Sequence, residues 1–213
     1  LYALSGQFMT KRKLAYEAIN IEQNIIGEHV GSQDQVAAAF GGFNIIEFFK
    51  DDRIIVQPLT LRSSRIKKLE DSLVLFFTGI SRTASEIAET QISNTPNKIK
   101  ELDKMKQMVD QAVEILCEES TPLDEFGKLL DESWKIKRSI TQKISTDLID
   151  SVYDRGINAG ALGGKLLGAG GGGFIMFFTP PNKKQKLINE LSDLLHVPFH
   201  FESMGSHIVH YSQ

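Results

Sequence analysis

Two acidic residues, Glu22 and Asp34, lie twelve residues apart on either side of a segment that contains Gly27 and Gly31. Glycine lacks a side chain, so the backbone of such a segment can come close to a ligand. A carboxylate just before a short helix faces the positive end of that helix, which favours its ionised form. Phosphoryl transfer uses such a pair, with one acid on the attacking hydroxyl and another on Mg²⁺. The spacing alone, however, favours the commoner structural roles, with Asp34 as a helix N-cap and Glu22 exposed to solvent.

A second constellation is the glycine-rich run at 163–173, which reads Gly-Gly-Lys-Leu-Leu-Gly-Ala-Gly-Gly-Gly-Gly. Consecutive glycines expose backbone N–H groups that can form an anion-binding nest, although a turn between a helix and a strand has a similar composition. The run is neither a Walker A loop nor a dinucleotide fingerprint, because Lys165 is followed by Leu166 and Leu167 and the run precedes a strand. Its chemistry would therefore come from the backbone.

Two further segments place cations where an anion could bind. At 78–82 the sequence Thr-Gly-Ile-Ser-Arg ends a predicted strand and enters a predicted helix, and a helix N-terminus with the Arg82 fork suits a phosphate. Lys137 and Arg138 follow Trp134 on the last turn of another predicted helix. Capping at the first segment and helix-dipole complementarity at the second are the structural alternatives.

Hydrophobic periodicity predicts the elements that position these residues. Apolar residues at helical spacing, Thr10 as an N-cap and glycine stops predict helices at 11–26, 35–40, 84–92, 99–116, 123–138, 148–157 and 182–195. Apolar runs bounded by turn residues predict strands at 44–49, 54–59, 73–78, 174–179, 197–202 and 207–211. Strands interleaved with helices, with a hairpin at Asp51-Asp52, favour an α+β fold with a mostly antiparallel sheet.

Composition excludes several classes of function. Of the 213 residues, 41% are hydrophobic and 24% are charged, which is typical of a globular chain of one large or two small domains. The net charge of -3 and the absence of a basic run argue against nucleic acid and against an anionic membrane as partners. The single cysteine, Cys117, excludes an internal disulfide, so we expect a cytoplasmic protein.

A family resemblance is carried by residues 18–22 and 31–44, which read Ala-Ile-Asn-Ile-Glu and Gly-Ser-Gln-Asp-Gln-Val-Ala-Ala-Ala-Phe-Gly-Gly-Phe-Asn. This pattern resembles the D-glycero-D-manno-heptose 7-phosphate kinases of the GHMP kinase superfamily, in which a Glu precedes G-x-Q-D-Q and A-x-x-G-G. Galactokinases have a similar G-x-x-D-Q. The run at 163–173 is similar to the third motif of the superfamily, except that Leu166 and Leu167 replace small hydroxyl residues.

The resemblance implies an ATP-dependent kinase that phosphorylates a hydroxyl of a sugar phosphate, with ATP and Mg²⁺ as cofactors. It implies that Asp34 is the catalytic residue, which deprotonates or orients the attacking hydroxyl, and that Glu22 is a metal ligand. The implied substrate-binding residues are Gly31, Gln33, Gln35, Arg82, Lys137, Arg138, Lys165, Gly168, Gly170 and Gly171. It also implies a remnant of the N-terminal domain at 1–62 and a C-terminal domain at 63–213.

The phosphate-binding motif of the superfamily, P-x-G-x-G-L-G-S-S, is absent, and the chain begins at Leu1. We therefore expect a truncated kinase that is inactive alone. Core positions such as Ile21, Ile25, Ile45 and Phe48 should then be exposed, and the chain should form a homo-oligomer. The alternatives are a fucokinase- or galactokinase-like enzyme and a non-catalytic sugar-binding fragment, and the sequence encoded upstream of Leu1 discriminates between enzyme and fragment.

Overall fold

The computed structural model describes residues 1–80 and 84–210, and the chain forms two compact units. The first unit is Leu1–Thr60 together with Phe201–Gln213, and the second is Leu61–His200. The division after Thr60 lies two residues from the predicted one, but the C-terminal segment groups with the first unit and not with 63–213.

In the first unit, a 3-10 turn at Ala3–Ser5 precedes helix α1 (Lys11–Asn20), which continues as a π-helical turn at Ile21–Ile26. As predicted, the Thr10 side chain caps α1 by accepting a hydrogen bond from the Lys13 N–H. Helix α2 (Gln33–Phe40) and the antiparallel hairpin β1 (Asn44–Phe48) and β2 (Ile54–Pro58) follow. Their small core is built on Ala15, Val36 and Ala39.

Apolar side chains remain exposed in this unit, as predicted for three of the four named positions. Ile21 is 40% exposed, Ile25 69% and Phe48 48%, whereas Ile45 is half-buried. The small core of the unit leaves these side chains without cover.

The C-terminal segment lies against the end of α2. The backbone N–H and the hydroxyl of Ser206 both donate to the Ala38 carbonyl, at 2.9 Å and 3.0 Å. Gly41 and Gly205 approach so closely that a Cβ on Gly41 would lie 2.1 Å from the Gly205 nitrogen. The predicted strands at 197–202 and 207–211 are wrong for the described residues, which form no strand at 197–210. The Val197 N–H still donates to the Leu75 carbonyl, whereas Ser206 donates to the end of α2.

The second unit is a four-stranded sheet with helices. Its elements are α3 (Ser63–Ser72), β3 (Leu73–Phe77), α4 (Ala84–Asn94), α5 (Ile99–Cys117), α6 (Asp124–Ile140), α7 (Asp147–Ala159), β4 (Gly163–Leu166), β5 (Phe174–Phe178), α8 (Lys184–Glu190) and β6 (Leu195–His196). The strand order is β4-β5-β3-β6 and every pairing is antiparallel. The predicted α+β class with an antiparallel sheet is confirmed.

The core of this unit lies where α6 and α7 pack on the sheet. Trp134, Tyr153 and Phe177 form a chain of ring contacts, with centroids 6.2 Å and 5.8 Å apart. Gly163 lets α6 approach β4, because a Cβ at this position would lie 2.0 Å from the Gly127 carbonyl oxygen. The first glycines of the run at 163–173 therefore serve helix–sheet packing, and Gly163–Leu166 is a strand where the sequence predicted a loop.

The last helix is shorter than predicted. Pro181–Lys183 forms a 3-10 turn, and α8 ends at Glu190 because the chain turns at Leu191–Leu194 towards β6. Among the described residues, no helix combines the length and the apolar character needed to cross a membrane.

Candidate functional site

One open pocket in the first unit brings together three of the residues singled out from the sequence. Glu22, Asp34 and Gln35 line it, and its volume is about 380 Å³. The rest of the lining comes from Leu14, Ala18, Ala38, Ala39 and Ser206. Acidic and amide groups thus stand on a wall that is otherwise made of small and apolar side chains, with one hydroxyl from the C-terminal segment.

Glu22 is placed by the π-helical turn. This turn ends at Gly27, whose φ of 79° is left-handed, and its N–H donates to the Glu22 carbonyl. Gln23 holds the following segment, because its Nε2 donates to the Val30 carbonyl at 2.9 Å and to the Ser32 Oγ at 3.2 Å. π-Turns occur often at functional sites. The sequence did not reveal this one, since apolar residues at 21, 25 and 26 fit an α-helix equally well.

Asp34 is not the N-cap of its helix, so that sequence-based interpretation is wrong. Helix α2 begins at Gln33, and the cap position is held by Ser32, whose side chain makes no capping hydrogen bond. Asp34 therefore lies in the first turn, where the helix dipole favours a negative charge. Within the described part of the chain no group donates to its exposed carboxylate, which leaves both oxygens open to the pocket.

Gln35 joins the two ends of the segment. It is only 7% exposed, and its Nε2 donates to the Glu22 Oε2 at 2.6 Å. Its Oε1 is buried, and no donor among the described residues reaches it. The contact of Gln35 is therefore with the neighbouring carboxylate.

The other two predicted residues of this region lie beside the pocket and not on its lining. Gly31 and Gln33 are both exposed, and a Cβ at Gly31 would meet nothing within 4 Å. Their substrate-binding role stays a prediction.

The glycine-rich loop of the second unit is anchored by its own backbone. The Gly171 N–H donates to the Ile144 carbonyl at 2.9 Å, and the Gly173 N–H donates to the Ile80 carbonyl at 2.8 Å. The N–H and the hydroxyl of Thr78 both donate to the Gly173 carbonyl at 2.8 Å. The Thr78 motif thus fixes the loop at the end of β3. Two of the N–H groups of the proposed nest, those of Gly171 and Gly173, are used inside the protein.

Gly168 and Gly170 differ in their surroundings. At Gly168, with φ of 71°, a Cβ would meet nothing within 4 Å, whereas at Gly170 it would lie 2.8 Å from the Ile144 carbonyl oxygen. A ligand could therefore approach the backbone at Gly168. Gly170 is needed for packing.

Two of the four predicted cations of the second unit, Lys137 and Arg138, have protein partners. Lys137 Nζ donates to the Gly168 carbonyl at 2.8 Å, and Arg138 pairs with Asp150 at 2.8 Å. Lys165 lies on β4, where burial lowers the pKa of its amine. Arg82 lies outside the described residues. Binding roles for these four side chains stay predictions.

The pocket of the first unit offers oxygen ligands of the type that Mg²⁺ prefers, on Glu22 and Asp34. Among residues 1–80 and 84–210, no group of three or more His, Cys, Asp or Glu side chains could hold a metal ion. Mg²⁺ is commonly held by one or two carboxylates and takes its remaining ligands from water and from phosphate oxygens. The residues present therefore fit a nucleotide-bound Mg²⁺.

Comparison with known proteins shows which class of protein the chain resembles. Residues 112–197 match the family described as GHMP kinases C terminal, so the chain carries a GHMP kinase C-terminal domain. The structure of the whole chain is similar to the crystal structure of a D-glycero-D-manno-heptose 1-phosphate kinase from Bacteroides thetaiotaomicron, with a TM-score of 0.75 and 30% sequence identity. That similarity covers 99% of this chain and 59% of the other chain.

Two curated relatives are similar to the chain in sequence. The D-glycero-alpha-D-manno-heptose 7-phosphate kinase of Campylobacter jejuni is 39% identical over 182 residues, which are 84% of this chain and 52% of the relative. The bifunctional fucokinase/GDP-fucose pyrophosphorylase of Arabidopsis thaliana is 25% identical over 198 residues, 89% of this chain and 18% of that protein. The chain spans about half the length of the heptose kinases that it matches.

Proposed function

We propose that the protein containing this chain transfers a phosphoryl group from ATP to a hydroxyl group of a phosphorylated heptose. The observation that carries the proposal is the pocket shared by Glu22 and Asp34, since it joins two acids that the sequence separates by twelve residues. The 39% identity to the Campylobacter heptose 7-phosphate kinase includes most of the chain and supports the same chemistry.

In this proposal Asp34 acts on the acceptor hydroxyl. Its carboxylate is exposed in the pocket and accepts no hydrogen bond from the described residues, so it is free to accept the hydroxyl proton. Transfer of the phosphoryl group requires that hydroxyl to be oriented towards the phosphorus, and a positioned acid can do both.

Glu22 is assigned to Mg²⁺. When bound, the ion neutralises the negative charge of the nucleotide phosphates. Glu22 is the better candidate of the two acids, because Gln35 fixes its carboxylate while Asp34 remains free for the acceptor. The glycine-rich loop at 163–173 and the cations Arg82, Lys137, Arg138 and Lys165 are assigned to anionic groups of the substrates.

The acceptor is tested with a panel of sugars. The two heptose kinases that resemble the chain carry names that place the phosphate at position 7 in one and at position 1 in the other. The intact gene product should therefore be assayed with ATP, Mg²⁺ and each of heptose 7-phosphate, heptose 1-phosphate, fucose and galactose. We expect turnover with a heptose phosphate and at most background turnover with the two unphosphorylated sugars.

A fucose preference would instead support the second candidate, for which the similarity to the Arabidopsis bifunctional enzyme is the specific observation. The chain as printed, assayed alone, should show no turnover above background, since it spans about half the length of the heptose kinases. Turnover with none of the four sugars by the intact gene product would refute the proposed function.

A further inference from the structure

Gln35 is the most buried polar side chain of the pocket that contains Glu22 and Asp34. It is 7% exposed, whereas Glu22 is half-buried and Asp34 is exposed. Its amide nitrogen lies 2.6 Å from the Glu22 Oε2, and hydrogen bonds to a charged acceptor are shorter and stronger than neutral ones.

The orientation of this amide is fixed by its partner. With the amide turned over, the Gln35 Oε1 would face a carboxylate that has no proton to donate, so the two acceptors would repel each other. In the orientation observed, Oε1 is buried and no donor among the described residues reaches it. An unpaired buried acceptor destabilises a fold. Stability alone therefore does not account for a glutamine at this position.

The hydrogen bond is also not needed to hold the intervening segment. Gln35 and Glu22 are thirteen residues apart, but the segment between them is already tied by Gln23, which donates to the Val30 carbonyl and to the Ser32 hydroxyl. What the Gln35 amide adds is the position of one carboxylate oxygen of Glu22.

We propose that Gln35 is a positioning residue, which fixes the Glu22 carboxylate in the pocket so that it can hold the nucleotide-bound metal ion. The inference rests on the proposed function. It differs from the role that the sequence resemblance implies for Gln35, which is contact with the substrate. The amide acts through Glu22 and does not touch the acceptor.

The first test replaces Gln35 by methionine, which keeps the length of the side chain and removes the amide. In the intact gene product, Gln35→Met should raise the Mg²⁺ concentration for half-maximal activity by about 10–100-fold, as is typical when a partner of a metal ligand is lost. The KM for the acceptor should stay within about twofold, since in this proposal the amide acts only on the metal ligand. Gln111→Met, an exposed glutamine on α5, is the matched control and should change neither value.

An unchanged Mg²⁺ requirement together with a raised acceptor KM would overturn the proposal and return Gln35 to substrate binding. A merely structural role predicts a lower unfolding temperature for Gln35→Met. We expect an unchanged or higher one, because the substitution removes the unpaired acceptor.

The second test needs no activity and separates this inference from the proposed function. In NMR spectra of the chain, the side-chain NH₂ of Gln35 should be protected from solvent exchange, and Glu22→Leu should abolish that protection. Protection that survives Glu22→Leu would overturn the assignment of Glu22 as the partner of Gln35. If the intact gene product phosphorylates no sugar but Gln35 is protected in this way, the proposed function fails and the positioning of Glu22 stands without its metal.

Discussion

A carboxylate in the first turn of a helix keeps its oxygens available to a ligand, whereas one at the N-cap does not. An N-cap side chain is used up by the backbone N–H groups that it accepts from. At Asp34 the helix has already begun, so the dipole stabilises the charge while the oxygens remain available. Glu22 is different, because Gln35 occupies one of its two oxygens. Two acids in one pocket are thereby given unequal freedom, which suits one to a mobile acceptor and the other to a fixed ion.

The residue-scale prediction concerns Asp34→Asn in the intact gene product. The substitution keeps the shape and removes the proton acceptor, so kcat with the heptose phosphate should fall by ~10²–10⁴-fold. The KM for ATP should be nearly unchanged, because Asp34 acts on the acceptor. The melting temperature should change little, since the lost dipole interaction is worth about 0.5 kcal/mol. Steady-state kinetics measure kcat and the KM for ATP, and a thermal melt measures the melting temperature.

Asp110→Asn, at an exposed position of α5, is the control for loss of a surface charge and should leave kcat unchanged. A kcat near the wild-type value for Asp34→Asn, with an unchanged melting temperature, would contradict the catalytic assignment of Asp34.

At the scale of elements, the end of α5 is held by a buried cation. Arg65 on α3 is 7% exposed, and its guanidinium donates to four carbonyl groups at and beyond the end of α5. The acceptors are those of Ile115, Leu116, Glu118 and Thr121. The last carbonyls of a helix lack partners within the helix and carry partial negative charge, so a guanidinium fork there satisfies several acceptors at once.

The element-scale prediction is that Arg65→Met lowers the free energy of unfolding by about 3 kcal/mol, because it leaves buried carbonyls without donors. Arg62→Met is the control from the same helix boundary. Among residues 1–80 and 84–210, Arg62 pairs with Glu119 at the surface, with its side chain 77% exposed, and its loss should cost less than about 1 kcal/mol. Urea unfolding followed by circular dichroism measures both variants, and equal costs for the two would show that Arg65 does not hold the helix end.

At the scale of the whole molecule, the two units differ in how completely they bury their apolar side chains. The second unit has a large core built on its sheet, α6 and α7. The first unit has a small core, and it leaves Ile25 69% and Phe48 48% exposed. Exposed apolar patches on a soluble chain favour association.

We therefore predict that the chain forms a dimer or a larger species in solution. Static light scattering across a concentration series should give at least twice the monomer mass, and Ile25→Glu combined with Phe48→Glu should lower it. Ile92→Glu, which changes an isoleucine of the second unit that is 58% exposed, is the matched control. A clean monomer at high concentration would contradict the prediction.

Local patterns in the sequence were enough for the elements that depend on near neighbours. Thr10 as a cap, the hairpin around Asp52 and the long amphipathic helices α5, α6 and α7 all follow from capping, turn chemistry and 3.6-residue periodicity. The resemblance at 18–22 and 31–44 pointed to Glu22 and Asp34 as candidate site residues. What the sequence determined by itself is therefore the α+β class and most element positions, and it supplied Glu22 and Asp34 as candidates for the site.

Only the tertiary structure decided which distant residues share a surface. It placed Ser206 on the pocket with Asp34 by returning the C-terminal segment to α2, where two glycines let the backbones touch. It turned the end of α1 into a π-turn that presents Glu22 to Gln35. It also showed that Gly163 and Gly170 of the glycine-rich run are needed for close packing. None of these features leaves a local signal, because each depends on a contact between residues that are far apart in the chain or on a change of helical hydrogen bonding by a single residue.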